Sequence, residues 1–311
     1  MCFSAEAWQD YRAYVEEFGA DITIRDFVLI YGDRGKGAKL KIPKGMDQAF
    51  LREGVGAEIE QIRALIAEYD GQQIAKLEQD LFKQSKRLAD AERSLQLKET
   101  VKAREDVRIA TGKIAANKAK LADIKRVEPK PRDNRIFPGV YGLVLVSEGG
   151  RRVVRPMRYQ CRPAGKPAAY DRKYPGTYNA RRDNLEGFWK GQFGVSHGLM
   201  VANTFFENVE GPDGKNRVLQ FTPRTGEPML VACLWSQWRD PTGQEPDLLS
   251  FAAITDDPEP EVAAAGHDRT IINIKPEHVD AWLNPDRRDL GALYAIFDDK
   301  RHPYYEHREA A

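Results

Sequence analysis

Four residues stand out by type and setting as able to do chemistry: Cys2, Asn179, Glu207 and His267. Cys2 is one of three cysteines among 311 residues, a nucleophile at a position that is ordinarily frayed and solvated. Glu207 closes the apolar run VANTFFE, so its carboxylate is either near the surface or buried with a partner, because an unpaired buried carboxylate is costly. His267 opens HDRT directly after the small-residue stretch VAAAG, and Asn179 lies in TYNARRD. Thiol, carboxylate and imidazole are the groups of nucleophilic attack and proton transfer. Taken singly, each also has an ordinary structural role: a frayed terminal thiol, a turn asparagine, a salt-bridged glutamate, a satisfied core histidine.

Other signatures are absent. GDRGKG at 32–37 lacks the GxxxxGK[ST] spacing that wraps a phosphate and reads as a solvated loop, and there is no GxSxG elbow. HPYYEH at 302–307 has three residues between His and Glu where the metalloprotease pattern has two, and reads as a polar C-terminal tail. Cys2, Cys161 and Cys233 form no CxxC, which fits neither a disulfide framework nor a zinc site. No metal or cofactor is expected. With 48 Lys and Arg against 47 Asp and Glu, no global field draws the chain to a polyanion, so any attraction must be local. The longest apolar run, YGLVLV at 141–146, is too short to span a bilayer, and the N-terminal segment has no apolar signal core. A cytoplasmic protein with no membrane partner is expected.

The elements that must position these residues fall into two kinds. Between Pro43 and Pro129 there is no proline, and Ile74, Leu77, Leu81, Leu88, Ala91 and Leu95 step by three, four and seven, the seam of a long helix. Ile109, Ile114, Leu121 and Ile124 continue a weaker series, which predicts an antiparallel helical hairpin breaking between Leu97 and Ala110. Elsewhere, YGLVLVSEGGRRVVRPMRY predicts a β-hairpin about Glu148-Gly149-Gly150. Further strands are predicted at 198–209, 216–222, 228–238 and 248–255, and helices at 5–18, 183–192 and 276–283. Short, closely spaced strands joined by turns indicate an antiparallel sheet or barrel rather than a doubly wound sheet. The fold class is therefore α+β: a mixed, mostly antiparallel sheet or barrel core with flanking helices, interrupted by a coiled-coil hairpin. The expected domains are 1–45 with 133–311, and an inserted 46–132.

Five features occur in fixed order: Cys2 after Met1, NAR at 179–181, FFE at 205–207, LWSQW at 234–238 and HDR at 267–269. Together they resemble the SOS-response-associated peptidase (SRAP) family, the abasic-site processing proteins, over roughly residues 1–45 and 133–285. The resemblance implies that Met1 is removed and that Cys2 links the protein to the ring-opened aldehyde of an abasic site in single-stranded DNA. An N-terminal cysteine is a 1,2-aminothiol, whose α-amine, with a pKa of roughly 7.7–8.0, is partly neutral at pH 7, unlike a lysine near 10.4. The amine can form a Schiff base, and the thiol then closes a five-membered thiazolidine intramolecularly. Neither Cys161 nor Cys233 could do this. By the same resemblance Glu207 and His267 are the acid and base, Asn179 holds the amine or sugar hydroxyls, and Arg181 and Arg269 meet DNA phosphates. For Arg269 an ion pair with Asp268 or Glu207 is an equal alternative.

The chain also departs from the family. Phe3-Ser4 stands where members continue Gly-Arg, Tyr159-Gln160 stands for an expected tryptophan, NARRD replaces NARxE, and Asn208 replaces an aromatic. Lys98–Arg126 carries nine basic against four acidic residues, a face for a nucleic-acid path, a protein partner or self-association through the 46–132 helices, or simply a charge-laced surface. Two other functions fit the sequence. One is a thiol autopeptidase acting on its own Met1 without DNA linkage; the other is a non-catalytic coiled-coil scaffold with a degenerate SRAP domain.

Overall fold

The structure is a computed structural model describing residues 3–52, 54–211, 213–240 and 242–310; Cys2 lies outside the described residues. The chain divides into two compact units, one made of Met1–Ile30, Lys39–Gly54 and Lys130–Ala311, the other of Tyr31–Ala38 and Val55–Pro129.

The first unit is built on one sheet. Its strands in chain order are β1 (Ser4–Ala7), β2 (Asp21–Ile22), β3 (Arg135–Ile136), β4 (Tyr141–Glu148), β5 (Arg151–Tyr159) and β6 (Asn179–Arg181). They are followed by β7 (His197–Glu210), β8 (Asn216–Pro223), β9 (Met229–Trp238), β10 (Leu248–Asp256), β11 (Thr270–Ile271) and β12 (Tyr305–Glu309). Pairing runs β7–β4–β5–β10–β9 and from β9 back to β7, so five strands close into a ring. Only β2–β5, β5–β10 and β6–β10 are parallel; the other strand pairs are antiparallel. The ring is thinnest between β4 and β7, which pair at Leu145 and Leu199 alone. There the buried Tyr14 hydroxyl donates to Leu143 O at 3.1 Å and accepts from Val201 N–H at 3.1 Å, supplying the cross-strand link the ladder lacks. Alternating side chains of the ring, among them Val144, Met157, Met200, Val231, Cys233 and Phe251, form its core.

Helices α1 (Tyr11–Phe18), α2 (Ile24–Gly35), α3 (Lys44–Arg52), α4 (Ala57–Leu97) and α5 (Val101–Lys125) precede the main sheet. Short helices α6 (Tyr170–Lys173), α7 (Pro260–Ala264), α8 (Val279–Leu283) and α9 (Leu290–Asp298) follow within or after it. Four expectations need correction. Residues 5–18 are not one helix: Ser4–Ala7 is a strand between β3 and β7, and the helix starts only at Tyr11, capped by Asp10. Cross-strand burial of Ala5 and Ala7 overrides their helix propensity. Residues 183–192 form a 3-10 turn and linked turns, as Asn184 spends its side chain on the Phe188 N–H instead of continuing a helix. Gly32–Gly35, read as loop, ends α2, and the C-terminal tail pairs with β8 as β12.

In the second unit α4 and α5 form an antiparallel hairpin, with Arg87 on Asp106 at 2.5 Å and Asn117 donating to Asp80 at 2.8 Å. Thr100 caps α5 by accepting from Ala103 N–H. The buried seam is Gln84 and Ala91 on α4 and Ala103, Ala110 and Asn117 on α5, seven-residue steps of mostly small side chains that let the axes approach. Leu77, Leu81, Leu88 and Leu95 flank the seam half-buried.

Candidate active site

The long strand β7 changes partners along its length. His197–Ala202 pairs with β9, while the second half lies between β1, with Ser4 opposite Phe206, and β8, with Glu207 opposite Leu219. Phe3 N–H donates to Phe206 O at 3.2 Å, so the first described residue is fixed one position from Glu207. Phe205 and Glu207 share a strand face by alternation, and both are buried, Glu207 at 1% exposure.

His267 reaches Glu207 from the turn between α7 and β11. Gly266 takes the left-handed φ of +91° that this turn needs, and His267 N–H returns to Val262 O at 3.2 Å. His267 Nε2 then lies 3.3 Å from Glu207 Oε2. Its Nδ1 faces the Arg269 backbone, 2.9 Å from Arg269 O and 3.3 Å from the Arg269 N–H, so that backbone holds the ring in place. Burial pushes the Glu207 carboxyl well above the usual carboxylate range, and burial pulls the imidazole down, opposed by its bond to Arg269 O. Both shifts favour the neutral forms, and the 3.3 Å separation of Nε2 from the carboxyl lets the two groups serve as acid and base.

A cleft of about 220 Å³ opens beside this pair, lined by Phe3, Tyr178, Asn208, His267, Asp268 and Arg269. Asn179, on β6 beside Ala253, is buried, and among the described residues neither amide atom has a hydrogen-bond partner. Asn208 accepts from Asn216 Nδ2 at 2.8 Å. Arg181 is half-exposed and forks onto Asp183 at 2.9 and 2.5 Å, while Arg269 meets Asp268 at 3.5 Å. The structure thus brings Glu207 and His267 together and gives both arginines carboxylate partners.

One charged group beside the first strand was not foreseen. Where Phe3-Ser4 leaves the first strand without its arginine, Arg135 arrives from β3: its Nε donates to Ser4 Oγ at 3.0 Å and its guanidinium lies 3.5 Å from the Phe206 ring centroid. Glu6 on the same strand is raised by burial and lowered by that guanidinium. The sequence signal was available only as register: Arg135 pairs with Glu6 across β1 and β3. The Tyr159 that stands for tryptophan is core, against Phe251 and Tyr178. Among the described residues no group of three or more His, Cys, Asp or Glu could hold a metal ion, and no helix is long and apolar enough to cross a membrane.

A mixed sheet closed on itself, with a buried Glu–His pair against the first strand, frames the site. The chain belongs to the SOS response associated peptidase (SRAP) family, whose family model matches residues 96–308. That span contains Asn179, Glu207 and His267 but not Cys2. No curated protein matches the chain. Among solved structures, a protein of Bordetella bronchiseptica is similar at 18% identity and TM-score 0.46, covering 57% of this chain and 87% of its own. A Bacteroides thetaiotaomicron protein is 13% identical at TM-score 0.47, covering 57% and 77%. A phage-related protein of Bordetella bronchiseptica is 20% identical at TM-score 0.43, covering 60% and 84%.

Proposed function

We propose that this chain forms a covalent thiazolidine with abasic sites in single-stranded DNA through Cys2, after loss of Met1. The observation that carries the reading is the buried Glu207–His267 pair, 3.3 Å apart, beside the strand on which Phe3, bonded to Cys2, is anchored. The α-amine of Cys2 adds to the aldehyde carbon, and the carbinolamine loses its hydroxyl as water when Glu207 or His267 supplies the proton. The thiol sulfur then attacks the iminium carbon, the C=N electron pair returns to nitrogen, and the thiol proton passes back to the Glu207–His267 pair, closing the ring with one water released overall. Asn179 holds the sugar or amine, and Arg181 and Arg269 lie along the DNA path. Incubation with an oligonucleotide carrying an abasic site gives a slow-migrating species on a denaturing gel; Cys2→Ala, or one residue added before Cys2, abolishes it. Equal adduct from wild type and Cys2→Ala refutes the reading.

The family description favours a second reading, a thiol autopeptidase that removes its own Met1. The two are compatible, since such cleavage creates the aminothiol. Intact mass after expression with the host methionine aminopeptidase inhibited separates self-cleavage from host processing.

A further inference from the structure

The cleft at the Glu207–His267 pair does not end there. It shares Asp268 and Arg269 with a second cleft of about 630 Å³, and that one shares Arg181 with a third of about 390 Å³. In the middle cleft the guanidiniums are already paired: Arg181 lies on Asp183, Arg182 on Asp256 and Asp298, Arg269 on Asp268, and Glu186 and Asp257 add further carboxylates, so charge there adds little net attraction for phosphate. The third cleft has another character. Tyr174 and Phe188 show 43% and 40% of their surface, Tyr170 lies 4.4 Å from the Tyr174 ring, and Trp189 sits edge-on to Phe188 at 4.9 Å. Asn179 lines the same cleft at 7% exposure, with both amide atoms unpartnered among the described residues.

A buried amide without partners is costly, and exposed rings favour being covered. A single strand meets both demands, since the face of a flat base covers the rings while the hydroxyls of the adjoining sugar reach the amide. The volume lies within the roughly 300–1,000 Å³ of small-molecule clefts. Tyr178 lines the reactive cleft and Asn179, the first residue of β6, the third, so two successive residues connect them.

We propose that the third cleft is a stacking subsite for the unpaired nucleobase next to the abasic sugar, Tyr174 and Phe188 supplying the faces while Asn179, at the edge of the cleft, holds the sugar to which that base is joined. The proposal rests on the reading of the reactive centre given above and assigns it a neighbouring base. Its affinity comes from stacking more than from charge, so it weakens only shallowly with salt.

The test uses single strands with an abasic site flanked by adenines, or with a propanediol spacer replacing the neighbouring nucleotide on the 5′ or the 3′ side. Adduct formation is followed against protein concentration, and circular dichroism checks that a Tyr174→Ala/Phe188→Ala variant is folded. A spacer on one side raises the wild-type half-saturating concentration roughly tenfold, and the double variant loses that sensitivity. Wild type indifferent to both spacers, or a folded double variant that keeps the sensitivity, overturns the proposal. If wild type forms no adduct at all, the reactive-centre reading fails instead, and anisotropy with an intact single strand decides stacking alone. The double variant then binds roughly tenfold more weakly; equal binding overturns the subsite.

Discussion

Replacing Glu207 by Gln separates proton transfer from shape. The carboxylate is 1% exposed and 3.3 Å from His267 Nε2, whereas the exposed Asp268 carboxylate lies 3.9 Å away, so Glu207 is the buried group placed to exchange a proton with the imidazole. Glutamine keeps the volume and offers Nε2 an N–H, so the contact survives while ionisation does not. General acid–base catalysis contributes about 10²–10⁴ in rate, and His267 remains, so adduct formation slows about 10²–10³-fold, or roughly 3–4 kcal/mol of barrier. The assay is single-turnover adduct formation on denaturing gels between about pH 5 and pH 9, with the DNA saturating. The limb of the pH profile due to Glu207 disappears as well. A folded Glu207→Gln protein reacting within roughly threefold of wild type across that range would falsify the acid–base assignment.

The same pair gives opposite pH dependences of stability. Burial raises the Glu207 pKa, so its contribution is full below the unfolded value of about 4.3 and is lost as pH rises through the folded value; Tm of wild type relative to Glu207→Gln therefore falls with rising pH. Burial lowers the His267 pKa, so its contribution is full above about 6.5 and is lost as pH falls through the folded value, which a His267→Asn comparison by thermal melts detects. Tyr14→Phe removes both hydroxyl bonds across the β4–β7 gap and costs about 1–3 kcal/mol in urea unfolding; no loss would mean the ring does not depend on that link. Ala110→Leu overfills the hairpin seam and costs about 1–3 kcal/mol, whereas Phe82→Ala, at 76% exposure, stays within about 0.5 kcal/mol by the same measurement.

Much of the sheet is readable in the sequence because its strands are bounded by turn residues. The Gly149-Gly150 pair, with φ of +58° and +77°, marks the β4–β5 hairpin, and the runs at 198–209 and 248–255 fall within β7 and β10. The hairpin break at Lys98–Thr100 falls where the heptad series changes. What the sequence hid has physical reasons. Ser4–Ala7 becomes a strand only because β7 and β3 flank it, and α9 is apolar on every side, so it lacks the stripe that announces a helix. In the site, Glu207 was visible as a carboxylate ending an apolar strand. Its distance to His267, and the arrival of Arg135 at Ser4, are products of topology that no local spacing encodes. The aromatic cleft was hidden likewise, since Tyr174 and Phe188 meet Asn179 only through the turns around β6.

The pairing of Ser4 with Phe206 also sets a timetable. A contact spanning about two hundred residues closes late, because loop entropy must be overcome before it yields anything. On the ribosome, the residues about Phe3 emerge long before Glu207 and His267 have been synthesised. A nascent or truncated chain thus carries its opening residues without the proton-transfer pair, and the two are united only in a finished sheet. On the function proposed above, premature termination anywhere before His267 leaves the thiol unassisted, and competence is then gated by completion of the polypeptide itself.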